Sequence, residues 1–65
     1  MLDNYKILVG KDIEYAMKLI GKNGSKCLIV VNKFNKILGT LSDGDIRAVL
    51  LKKLKITEKI DKHYN

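Results

Sequence analysis

The sequence is short of the residues that most catalytic and disulfide-built chains rely on. It has no proline, one cysteine, one histidine, one arginine and four aromatic residues. A lone cysteine, Cys27, excludes an intrachain disulfide and fits a reducing, cytoplasmic setting. Its place in the most apolar stretch of the chain reads as a small buried hydrophobe and not as a reactive thiol. The lone histidine, His63, has no cysteine or carboxylate at metal-ligand spacing and reads as a surface residue. Nothing pairs a nucleophile with a base, and no GxxxxGK phosphate loop is present, so catalysis by this chain is not expected. No apolar run approaches ~20 residues, which excludes a membrane-spanning helix. Met1-Leu2-Asp3-Asn4 lacks the basic and apolar regions of a signal peptide. No low-complexity tract or internal repeat divides the chain.

Against these absences stand many lysines and much apolar surface. The net charge is +6, from twelve lysines and Arg47 against seven acidic residues. The lysines run from Lys6 to Lys62, with a mild cluster at Lys52, Lys53, Lys55, Lys59 and Lys62. A solvated face explains them most simply, with a general attraction for small anions as the alternative. Specific nucleic-acid binding is not expected. That function usually shows more arginine, and Tyr5, Tyr15, Phe34 and Tyr64 are not interleaved with the basic cluster. The chain has 65 residues, 46% of them hydrophobic. A single domain of this size buries only roughly 60% of its unfolded surface. Such apolar content in so short a chain points to a partner covering part of it, a second copy or a neighbouring domain.

The hydrophobic pattern gives the order β-α-β-β-α. Tyr5 to Val9 is a short apolar run closed by Gly10. Asp12 is an N-cap for a helix in which Ile13, Ala16, Met17 and Ile20 share a face, widened by Leu19 and Tyr15. Asn23-Gly24 suits a left-handed helix end. Cys27 to Val31 is an unbroken apolar, β-branched run, as in a strand buried on both faces. Asn32 to Lys36 is a short polar turn whose asparagines tolerate positive φ, and Ile37 to Leu41 is a second strand. Ser42-Asp43-Gly44-Asp45 then opens a helix carrying Ile46, Val49, Leu50 and Leu54 at helical spacing. Thr57 is a candidate cap for a last turn containing Ile60. The expected class is α/β (α+β): a short sheet with two helices on one face. Gly39 lies inside a strand, where glycine is weakening unless something packs closely over it, either the first segment or a ligand.

The junction Ser42-x-x-Asp45 has two readings from its spacing. One is a capping box, with Asp in place of the usual Glu. The other uses the same geometry for a ligand. A helix N-terminus with a hydroxyl suits a phosphate, and a carboxylate one turn in can accept two hydrogen bonds from a ribose diol.

With Leu28 to Arg47, LIVVNKFNKILGTLSDGDIR, the sequence resembles the CBS domain family. The buried strand, the turn, Ile37-Leu38-Gly39 and Ser42-x-x-Asp45-Ile46 carry the resemblance, and Asp12-Ile13 with Ala16 and Ile20 agrees upstream. It covers roughly Ile7 to Leu54, so residues 1–55 read as one CBS domain and 56–65 as a linker or the start of a second motif. The resemblance implies the small CBS-type β-α-β-β-α fold and tandem or dimeric pairing through sheets or helices. It also implies regulation of an attached enzyme, channel or transporter. No cofactor is required; the implied ligands are AMP, ADP, ATP, adenosine or S-adenosylmethionine. By the same resemblance Ser42 touches phosphate, Asp45 holds the ribose and Arg47 reaches a phosphate. Backbone near Leu8, Val9 and Gly10, with Ile13 and Leu28, lines the adenine pocket.

Two features depart from the family pattern. Only one motif is present, so the expectation is either a piece of a tandem pair or a single domain that forms a homodimer. Asp43 places a second carboxylate beside the phosphate position, which favours a mononucleotide or nucleoside over a triphosphate. The Ser-Asp-Gly-Asp-Ile-Arg version resembles domains attached to sugar-phosphate nucleotidyltransferases and isomerases, which implies a bacterial or archaeal parent enzyme. The remaining alternative is a dimerisation or scaffold module that binds no ligand.

Overall fold

A computed structural model describes residues 5–65, so the reading of Met1–Asn4 lies outside the described residues. Strands β1 (Lys6–Leu8), β2 (Cys27–Val31) and β3 (Ile37–Ser42) form one sheet in the order β1-β2-β3. β1 runs parallel to β2, joined through helix α1 (Ile13–Asn23); β3 runs antiparallel to β2 and leads directly into helix α2 (Asp43–Leu51). This is the expected β-α-β-β-α order.

Local chemistry sets the element ends. The Asp12 side chain accepts the Tyr15 N–H at 2.9 Å and caps α1. Gly24 closes that helix at φ 71°, its N–H donating to the Ile20 carbonyl. The β2–β3 turn has Asn35 at φ 64°, and the Asn32 side chain accepts the N–H groups of Phe34 and Lys36. Asparagine suits both tasks, because its short amide bonds nearby backbone and tolerates the left-handed region.

Register decides what is buried. Leu28 opposes Leu41, and Val30 opposes both Ile7 and Gly39, so these residues share the face turned toward the helices. Ile7, Leu28, Val30 and Leu41 from the sheet meet Ile13 and Ala16 from α1 and Ile46 and Val49 from α2 in one core. Burying the valine, leucine and isoleucine side chains among them stabilises by about 1.5–3 kcal/mol each.

The other face of the sheet corrects two expectations. Cys27 is exposed and Ile29 only half-buried, so the second face of β2 is covered only at Val31, and Cys27 is no core residue. The reason is architectural, since both helices pack on the same side. On α1, Tyr15 and Met17 lie outside the core, each 42% exposed. The core stripe of α1 is narrower than the pattern implied, because the helix meets the small sheet mainly through Ile13 and Ala16. Leu50 and Leu54 are likewise exposed, α2 ending at Leu51.

Residues 56–65 run back across the body. The N–H groups of Ile13 and Glu14 donate to the carbonyls of Glu58 and Ile56, and the Ile60 N–H donates to the Lys11 carbonyl. Ile60 is fully buried in the core, and Tyr64 packs against it. The 3₁₀ turn Ile60–Lys62 is preceded by Lys59 with no side-chain cap, so Thr57 does not cap it. His63 is not a bare surface residue: its side chain is 14% exposed and its Nε2 lies 3.1 Å from Glu58 Oε2. Folding of the segment around Ile60 makes this pairing, which sequence distance alone did not reveal. Finally, Asn65 exchanges two backbone hydrogen bonds with Thr40, each 2.8 Å, at the outer edge of β3.

Candidate functional site at the β3–α2 junction

Where β3 becomes α2, the chain concentrates oxygen atoms at a helix N-terminus. Ser42 is extended at φ −94° and ψ 165°, and its Oγ accepts the Asp45 N–H at 3.0 Å. Asp45 reciprocates, its Oδ2 accepting the Ser42 N–H at 2.8 Å. The capping box is therefore fully formed, and both side chains are half-buried. The Asp43 N–H donates to the Lys26 carbonyl at 2.7 Å, fixing the helix start against the lead-in to β2. Among the first-turn donors, the Gly44 N–H has no acceptor within the described residues, and Gly44 is exposed.

The junction can hold an anion through that N–H and the Ser42 hydroxyl, which keeps a proton to donate while its oxygen accepts from Asp45. Asp45 Oδ1 is not the cap oxygen; among the described residues its hydrogen-bond partner is the Asn65 amide, Nδ2 at 3.5 Å. A carboxylate oxygen so weakly engaged retains capacity for hydroxyl donors.

Arg47 does not stand free. Its guanidinium lies 2.7 Å from Asp43 Oδ2, one helical turn away, with both side chains exposed. Such a surface pair contributes about 0–1 kcal/mol to stability. Its electrostatic effect is to offset the second carboxylate beside the anion position, so Asp43 opposes a polyphosphate less than its charge alone suggested.

The structure brings together Ser42 and Asp45, with Leu28 close by but fully buried opposite Leu41. Arg47, two residues beyond Asp45, lies on the other side of α2, where it pairs with Asp43 and lines the groove against α1 with Met17 and Ile20. The structure does not bring Val9, Gly10 and Ile13 to Ser42 and Asp45. Cys27 pairs with Ser42 at one end of β2, whereas Leu8 pairs with Val31 at the other. The two ends are about 13 Å apart along the strand. Val9 bonds to the Val31 carbonyl, the Gly10 N–H is taken by Asp61 Oδ1 at 2.8 Å, and Ile13 is fully buried. Thr40 and Asn65 were not singled out from the sequence, yet they stand beside the junction. Thr40, two residues before Ser42, shares its strand face, a signal that period-two reading carries. Asn65 had no such signal, because only the tertiary fold brings it there. Among the described residues no group of three or more His, Cys, Asp or Glu side chains is placed to hold a metal ion.

The sequence matches no protein-family model and no curated protein. Solved structures do match. A CBS domain protein from Pyrobaculum aerophilum complexed with AMP superposes with a TM-score of 0.87 at 14% identity, over 92% of this chain and 47% of that one. CbpB in complex with c-di-AMP has a TM-score of 0.81 at 26% identity, over 98% of this chain and 51% of that one. Staphylococcus aureus OpuCA has a TM-score of 0.79 at 17% identity, over 92% and 48%. The chain thus spans about half the length of the structures it matches. Taken with the element order and register, these likenesses show that this chain has the fold of a CBS domain.

Proposed function

We propose that this chain is a regulatory module that binds an adenine nucleotide at the β3–α2 junction and has no catalysis of its own. In this reading the Gly44 N–H and Ser42 hydroxyl hold phosphate, and Asp45 Oδ1 accepts from the ribose hydroxyls. Arg47 sits one turn on, paired with Asp43 but exposed enough to swing to a phosphate. Val9, Gly10 and Ile13 are left out of this site because they lie at the other end of β2. The observation that carries the reading is the junction itself: successive residues at the helix start carry an N–H without an acceptor among the described residues and a weakly engaged carboxylate oxygen. Two structures of the same fold, solved with AMP and with c-di-AMP, support an adenine-containing ligand.

The finer expectations belong to the same proposal. The parent is a sugar-phosphate nucleotidyltransferase-type enzyme or isomerase in the cytoplasm, and two copies pair as a homodimer. Apolar surface supports pairing: Met17, Ile20, Ile46 and Leu50 line an open groove of about 250 Å³ between α1 and α2. No helix among the described residues is long and apolar enough to cross a membrane.

One observation favours a second reading, a ligand-free dimerisation module. The capping box already gives Ser42 and Asp45 a complete structural role. Thermal melts with and without AMP separate the two. A ligand at 100 times its dissociation constant adds about 2.7 kcal/mol of stability. A melting temperature that does not move at millimolar AMP or adenosine favours the scaffold.

A further inference from the structure

Beyond its cap partner Ser42, Asp45 meets the side-chain amide of Asn65, from the distant segment 56–65. That residue belongs to the segment that crosses the body from α1 to β3. The segment is held firmly at its start, where Ile60 is fully buried and the Gly10 N–H donates to Asp61. Its end at Asn65 is exposed and is held by the two backbone bonds to Thr40 and the long contact to Asp45. Asn65 and Thr40 are both exposed.

The two oxygens of Asp45 are therefore unequally used. Oδ2 is committed to the cap at 2.8 Å, whereas Oδ1 meets only an amide at 3.5 Å. An amide presents N–H donors to that oxygen, as a ribose presents O–H donors. A charge-assisted O–H···O⁻ bond runs at about 2.5–2.7 Å and is much the stronger of the two. Both groups cannot occupy the same approach to Oδ1.

We infer that Asn65 is a place-holder for the ligand: its carboxamide occupies the position of a ribose hydroxyl, and a bound nucleoside displaces it and loosens the Thr40–Asn65 rung. This rests on the nucleotide reading above. The ligand state of Asp45 is then written into the segment at residues 64–65. A module whose ligand releases one strap residue has a built-in output, since docking of that residue and occupancy of the site exclude each other. The buried part, around Ile60, stays in place and keeps the fold intact while the exposed end moves.

The test compares wild type with Asn65→Ala, which removes the carboxamide and leaves the backbone rung to form. Calorimetric titration with adenosine should show affinity raised about threefold or more in the variant, the effect of removing one weak competing hydrogen bond. In wild type, hydrogen exchange at the Thr40 N–H should accelerate at saturating adenosine, because its acceptor is the Asn65 carbonyl. This second readout needs no variant. Affinity that is unchanged or lower in Asn65→Ala, or exchange at Thr40 that holds or slows, overturns the place-holder and leaves the nucleotide site standing. Wild type that binds neither adenosine nor AMP removes the nucleotide site itself, and the place-holder with it.

Discussion

The carbonyl of Asn65 lies in the space that a side chain on Gly39 would fill, and the ring of Tyr64 stands beside it, with Cδ1 2.9 Å from where a Cβ would be. The glycine inside β3 thus has the close neighbour its position demanded. That neighbour is neither the first segment nor a ligand but the far end of the chain. Gly39→Val must push this backbone off the sheet, because a carbonyl in a two-bond rung cannot swing aside as a flexible side chain can. Overpacking of this kind typically costs about 1–3 kcal/mol. Urea denaturation should show the midpoint falling accordingly; an unchanged midpoint contradicts the close approach.

Ile60 tests whether residues 56–65 belong to the folded unit. Its side chain is fully buried, and its backbone N–H bonds to Lys11. Ile60→Ala should lower stability by about 2–5 kcal/mol, the range for large-to-small changes in a packed core. For a chain this short, that loss is a large share of the total. A cost of a few tenths on equilibrium unfolding contradicts the packing described here.

Lys53 offers a change in the opposite direction. It holds φ 60° just after α2, where the Leu54 N–H reaches back to the Val49 carbonyl. This is a left-handed helix end of the kind glycine usually occupies. A side chain there costs about 1–2 kcal/mol, part of which glycine gives back through the freedom of the unfolded chain. Lys53→Gly should therefore raise stability by about 0.5 kcal/mol, read from denaturation midpoints. Destabilisation would mean that the lysine makes contacts worth more than the strain.

Legibility followed locality. The capping box, the Asp12 cap, the Gly24 helix end and the Asn35 turn each depend on residues within a few positions of one another, and the sequence displays them directly. The β-α-β-β-α order came from periodicity for the same reason. The failures came where distant residues meet. Cys27 reads as buried because its run is apolar, yet whether its face is covered depends on which side the helices take. His63 reads as solitary because the partner, Glu58, is brought to it only by the turn around Ile60. At the site, Ser42 and Asp45 lie three residues apart and meet in the capping box, whereas Arg47 turns to Asp43 on the α1 side of the helix. Val9 and Gly10 were joined to them by resemblance, and strand register places them past the other end of β2. Asn65 entered the site only through its rung with Thr40, which the fold alone creates.

The central claim is that Asp45 holds a ribose as well as capping α2. The direct measurement is calorimetric titration of adenosine and AMP into wild type, Asp45→Ala and Ser42→Ala, beside their denaturation midpoints. As a cap member alone, Asp45 loses one backbone hydrogen bond on substitution, a cost of about 1 kcal/mol or less with Ser42 still in place. As a ribose ligand it also loses charge-assisted bonds typically worth about 1.5–3 kcal/mol each, so affinity should fall at least about thirtyfold. Ser42→Ala should lower stability and AMP affinity together, because one hydroxyl serves the cap and the phosphate. Adenosine binding that survives Asp45→Ala within about a factor of two, on a scale where 1.4 kcal/mol is tenfold, contradicts the account and leaves the cap as the whole role of Asp45.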